Sequence, residues 1–227
     1  MSPVRNTDGL IRLGVLALPL AGLLALVGLY SSLKLGPGGI LASGDNRAII
    51  STGYFLSQLV GNGLALTLLI FGVIALFAYL LNSSGQALPL VAMVLSIVGI
   101  ALTLSGLGIY AYTVPALSQS YLDGRVESIR ILEYIFAGPF GTIQTLIFLF
   151  YSAGFILFGV AIWRSTRLPR WAGVLVAAHA VLISGPFSVV GSVLGSLLAL
   201  VGGVWIAISA LQSPPAGMEA QAEPRVR

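Results

Sequence analysis

A single histidine, His179, stands in the apolar run AAHAVLI. Imidazole can act as a general base, a metal ligand or a haem ligand, so any chemistry in this chain has to begin there. Each such role lacks its partners. A serine nucleophile needs a base and an orienting group within reach, and no carboxylate lies at a comparable depth in an apolar run. A metallohydrolase needs clustered histidines and carboxylates, and a bis-histidine haem needs a second histidine. His179 paired with a methionine is a conceivable haem site that nothing else in the sequence supports. A retinal Schiff base needs a lysine inside a span, and the one lysine, Lys34, sits at the end of one. With no cysteine, thiolate chemistry is excluded. The expectation is therefore no catalytic residue, no metal and no cofactor, with His179 as a neutral group hydrogen-bonded across helices.

Two further polar residues interrupt apolar runs, Asn62 and Gln144. Each can make an interhelical hydrogen bond worth about 0.6 kcal/mol. Together with His179 they are also candidates for a polar cavity. Every Asp, Glu, Lys and Arg falls at or outside the ends of the apolar runs. Intramembrane charges mark the paths of most ion-coupled transporters, so their absence argues against that class. A path of hydroxyls and carbonyls stays open.

The elements that must hold these residues follow from composition. Of 227 residues, 57% are hydrophobic and 8% charged, against the roughly 25% charged residues of soluble domains. Mean hydropathy is +1.01. Six apolar runs stand out, at about 10–33, 58–81, 88–112, 141–163, 171–189 and 192–211. They are continuous rather than alternating, as in membrane helices of about 20 residues. The expected fold is all-α, a six-helix transmembrane bundle spanning residues 1–212. The first run is longer than the roughly 7–15 residues of a signal-peptide core, so it reads as a retained anchor. Gly36-Pro37-Gly38-Gly39 ends it, and Asp45 or Asn46 can cap a new helix from about Arg47. Residues 113–140 form the one substantial polar connection. Within it, Val126, Ile129, Leu132 and Phe136 alternate with Arg125, Glu127, Arg130 and Glu133 at near-helical spacing, which predicts an interfacial amphipathic segment before the fourth run. Gly138-Pro139 closes that segment. Residues 213–227 read as a disordered polar tail on the cytoplasmic side.

The stretch WRSTRLPRW (163–171) places Arg164, Arg167 and Arg170 between Trp163 and Trp171 with no acid beside them. Proline in Leu168-Pro169 disfavours helix in its predecessor, so a turn is expected. The tryptophans suit the two interface crossings, and the arginines suit anionic headgroups on the cytoplasmic face. With six spans, both termini share the side of this loop. That side carries seven of the 11 basic residues, and Lys34, Arg47, Arg125 and Arg130 lie on the other. The positive-inside rule then puts both termini in the cytoplasm. Net charge is +4, but its spread between apolar runs points to lipid headgroups rather than nucleic acid. In the last run, Gly191, Gly195, Ala199 and Gly203 recur every four residues. Such a small-residue stripe lets helix backbones approach, within the chain or in a homo-oligomer.

The segment GFILFGVAIWRSTRLPRWAGVLVAAHAVL (154–182) resembles a pattern in the DUF4386-like family of small bacterial multi-pass proteins of unknown function. Its turn Arg164-Ser165-Thr166-Arg167-Leu168-Pro169-Arg170 is similar to that family's basic RS-x-x-LPR turn between hydrophobic helices. The likeness covers about 29 residues and elsewhere extends only to hydropathy. It implies a bacterial inner-membrane protein and carries no active-site residues. The expected role is non-enzymatic: a scaffold, assembly or lipid-interacting subunit whose partners are membrane lipids and another membrane protein or a second copy. The alternative is a facilitator or transporter of a small neutral or amphipathic molecule. A membrane enzyme or haem protein ranks last.

Overall fold

The computed structural model describes residues 3–35, 45–81, 87–184 and 189–212, all helical or turn, with no strand among them. The polar tail and the glycine-rich breaker at 36–39 lie outside the described residues, as do residues 82–86 and 185–188. Five helical runs are long and apolar enough to cross a membrane: Gly9–Lys34, Thr52–Leu80, Ala87–Leu122, Glu127–Arg164 and Val190–Gln212. A shorter apolar helix, Arg170–Ile183, stands between the last two.

The first run is bent. α1 (Pro3–Val15) and α2 (Ala17–Leu35) are separated at Leu16. Pro19 has no N–H to give to the carbonyl of Val15, one turn earlier, and the ladder is locally replaced by a tighter bond from Leu16 N to Leu13 O at 3.1 Å. α3 (Asn46–Ile49) starts where expected, capped by Asp45, whose Oδ1 accepts from Ala48 N at 3.1 Å. It does not continue as one helix from Arg47. The chain restarts at Ser51, extended and capping α4 (Thr52–Leu56) by accepting from Tyr54 N at 3.2 Å. α4 runs through a π-helical segment, Ser57–Leu64, into α5 (Ala65–Leu80).

α6 (Ala87–Gly108) passes through a second π-helical segment, Ile109–Thr113, into α7 (Val114–Leu122). Here the sequence reading needs correcting: the helix does not end near Pro115, as a polar connector from residue 113 required. Proline costs the helix one N–H without stopping it, and the winding widens there to accommodate the loss. α8 (Glu127–Ala137) is the helix expected from the alternating segment. Its Leu132 is buried against Ile49, Tyr54 and Val114, with Ile129 and Phe136 packed beside them, while Ile131 and Tyr134 are exposed. Gly138 breaks it, and α9 (Pro139–Arg164) follows. α10 (Arg170–Ser184) and α11 (Val189–Gln212) correspond to the runs read at 171–189 and 192–211, with residues 185–188 between them outside the described residues.

The helices pack in chain order into a ring. α2 lies on the π segment and α5, α5 on α6, α6 on α9, α9 on α10, α10 on α11, and α11 returns to α2. Glycines let most of these seams close. A Cβ on Gly61 would stand 2.5 Å from the Cα of Gly28, one on Gly99 2.6 Å from the Cα of Tyr151, and one on Gly159 2.6 Å from the carbonyl oxygen of Gly173. The outward positions are apolar, for example Leu20, Leu23 and Val27, or Phe71 and Ile74, or Val201, Val204 and Ile208. A surface of that kind suits hydrocarbon rather than water.

Candidate functional site

The ring is not filled. A cavity of about 1380 Å³ lies inside it, with walls from α2, the first π segment and α5, α6, α9, α10 and α11. Asn62, Gln144 and His179 all stand on its wall. Among the described residues, no Asp, Glu, Lys or Arg does. One end is polar, with Ser31, Gln58, Asn62, Tyr110 and Gln144. Toward the other, the wall turns to Leu18, Leu69, Leu76 and Phe155. Beyond that apolar end Val15, Leu80, Phe158 and Ile162 are fully buried and close the ring.

The polar end is held by a chain of hydrogen bonds through three helical runs. Ser31 Oγ donates to the carbonyl of Gly28 at 2.7 Å. Asn62 Nδ2 donates to Ser31 Oγ at 3.4 Å and to Gln58 Oε1 at 2.8 Å. Gln58 Nε2 donates to the hydroxyl of Tyr54 at 3.1 Å, and that hydroxyl donates to the carbonyl of Tyr110 at 3.1 Å. Tyr54, Gln58 and Asn62 are four residues apart, so one helix face presents all three.

The last link has a cause in the sequence. In the second π segment Val114 N bonds to Ile109 O, five residues back. Continuing that pattern, Tyr110 O would accept from residue 115, which is a proline and has no N–H. A carbonyl left bare in an apolar setting is costly. The Tyr54 hydroxyl satisfies it from the neighbouring run. Tyr110 also anchors the other side, since its hydroxyl accepts from Gln144 Nε2 at 3.3 Å. Its ring meets Phe136 and Phe140 edge to face, at 5.6 and 5.7 Å between centroids.

His179 sits deeper, 3% exposed. Its Nδ1 meets the carbonyl of Val176, which can only accept. Nδ1 therefore carries the proton, and Nε2 accepts from the Tyr151 hydroxyl at 3.3 Å. Both ring nitrogens are committed to protein partners, and Phe155 packs against the ring at 4.8 Å. Among the described residues no group of three or more His, Asp or Glu could hold a metal ion. The wall offers neutral hydrogen-bonding groups at one end and hydrocarbon at the other.

Of the other residues singled out by sequence, Ala199 and Gly203 line the cavity wall, and the rest lie away from it or between its helices. Trp163 and Trp171 come together edge to face at 5.8 Å. Leu168 is buried beneath the loop, and Arg164 and Arg170 are exposed. Ser165 Oγ accepts from Arg167 N at 3.1 Å, fixing the turn. The stripe on α11 serves two seams within the chain. A Cβ on Gly195 would meet Ile183 Cγ1 at 2.6 Å, whereas one on Gly203 would meet Pro19 N at 2.9 Å and Gly22 faces Ala199 and Leu200. Steps of four residues advance about 40° around a helix of 3.6 residues per turn, so the stripe winds from α10 to α2. Gly191 is buried at its start. Ser31, Tyr54, Gln58 and Tyr110 were missed by the sequence reading. The i, i+4 spacing of Gln58 and Asn62 was the available signal.

No family model matches this chain, and neither does any curated protein or solved structure.

Proposed function

We propose that this chain is a non-enzymatic membrane protein with six spans whose cavity holds an amphipathic lipid. The observation that carries the reading is the wall itself: polar and uncharged at one end, apolar over the rest, and inside a ring whose outer face is hydrocarbon-like. At about 1380 Å³ it exceeds the roughly 300–1,000 Å³ of most small-molecule sites. α10 supplies the sixth span in this reading. It is about 22 Å long at 1.5 Å per residue and runs back along α9, so that Gly173 meets Gly159 and His179 meets Tyr151.

With six spans, the basic loop between α9 and α10 sets both termini on the cytoplasmic side. The polar end of the cavity then faces the opposite side, where α8 lies along the interface. The family resemblance around that loop supports a bacterial inner membrane as the setting. A facilitator that passes its cargo across is disfavoured by the packed apolar end at Val15, Leu80 and Phe158. Native mass spectrometry of the detergent-purified chain tests the reading. One lipid-sized adduct per chain is expected, and a bare protein mass under gentle activation contradicts it.

A further inference from the structure

We propose that the lipid held in this cavity is uncharged and carries a hydroxyl head group, which docks between Tyr110 and Gln144. This rests on the lipid-binding reading above and adds the chemistry of the ligand.

Among the described residues the wall contains no Asp, Glu, Lys or Arg, and His179 has both nitrogens occupied. A carboxylate or phosphate drawn in among those residues would find no counter-charge, and burying an unpaired charge is disfavoured. The uncommitted hydrogen-bonding capacity at the polar end is mixed. The Tyr110 hydroxyl accepts from Gln144 and keeps its proton to donate, while Gln144 Oε1 accepts nothing from the described residues. One donor beside one acceptor matches a hydroxyl, which accepts from the first and donates to the second. An ether or ester head lacks the proton that Gln144 Oε1 would take.

The rest of the wall fits a chain. The lining of α2 runs from Leu18 to Leu33, about 22 Å at the helical rise. That exceeds half of a bilayer core of about 30 Å, so a full-length acyl or isoprenoid chain can extend against Leu66, Leu69 and Leu107. On α9, Gln144, Thr145 and Phe148 are exposed beside the head site.

Thermal melting of the purified, delipidated protein in detergent tests this with four probes: monooleoylglycerol, methyl oleate, oleate and dioleoylphosphatidylglycerol. Monooleoylglycerol is expected to raise Tm by roughly 4 °C or more, with at most a small rise from the other three. In the double variant Tyr110→Phe, Gln144→Leu, which keeps the Tyr54 bond to the Tyr110 backbone, monooleoylglycerol and methyl oleate are expected to act equally. Equal or larger shifts from oleate or the phosphatidylglycerol overturn the uncharged head while leaving lipid binding intact. Equal shifts from monooleoylglycerol and methyl oleate on the unaltered protein overturn hydroxyl recognition. If no probe moves Tm, the lipid-binding reading fails with it.

Discussion

Replacing Gly154 with alanine adds one methyl group at a close seam of the ring, between α6 and α9. A Cβ there would stand 2.5 Å from Ser96 Oγ and 2.8 Å from Ser96 Cα. The nearest atoms include the backbone of α6, which cannot rotate away as a side-chain tip can. α6 and α9 must therefore separate by several tenths of an ångström along their contact. Overpacking of this kind costs about 1–3 kcal/mol. Gly108 is the control. It is helical, at φ −59° and ψ −36°, and a Cβ there meets nothing within 4 Å. Alanine in place of a helical glycine gains about 0.5–1 kcal/mol where space permits. The two variants should thus differ by at least about 1.5 kcal/mol, or about 3–6 °C in Tm for a chain of this size. Melting of both proteins in the same detergent measures the gap. Equal melting temperatures, or Gly154→Ala the more stable, would refute the close seam and with it the ring that encloses the cavity.

Tyr54→Phe removes the donor to the Tyr110 carbonyl and should cost about 1–3 kcal/mol. Adding Pro115→Ala supplies an N–H nearby, so the double variant should recover part of that loss, and a double-mutant cycle with no coupling contradicts the link. His179→Gln should leave folding and lipid retention intact, at a stability cost of about 0.5–1.5 kcal/mol for a lost or weakened hydrogen bond; normal folding with loss of retention would give the imidazole a role beyond packing. A cysteine at exposed Thr166 of this cysteine-free chain should react with a membrane-impermeant maleimide only after cells are opened. Labelling in intact cells would reverse the proposed orientation.

The helical class and most helix positions were legible because continuous apolar runs leave few alternatives. The details that shape the cavity were not. Pro115 looked like the end of a helix, but its missing N–H is answered by Tyr54, 61 positions earlier in the chain, and no local pattern reports such a pairing. Tyr54 precedes the apolar run read at 58–81, yet in the folded chain it is fully buried. Asn62, Gln144 and His179 were visible as polar residues in apolar surroundings. Their shared cavity depends on the order in which the helices close into a ring, which hydropathy does not encode. The glycines of α11 were visible as a stripe, but which neighbours they meet follows from the 40° advance per step and from α11 lying between α10 and α2.

The central claim is that a lipid occupies the inside of this ring rather than only coating its outside. Photo-crosslinking with monooleoylglycerol carrying a diazirine near its chain end, followed by mass-spectrometric mapping of the adducts, tests it most directly. The account predicts adducts on the cavity wall, at Leu66, Leu69 or Leu107, that unlabelled monooleoylglycerol competes away. Adducts confined to outward-facing positions such as Leu20, Phe71 and Val94, and unaffected by competitor, would contradict it.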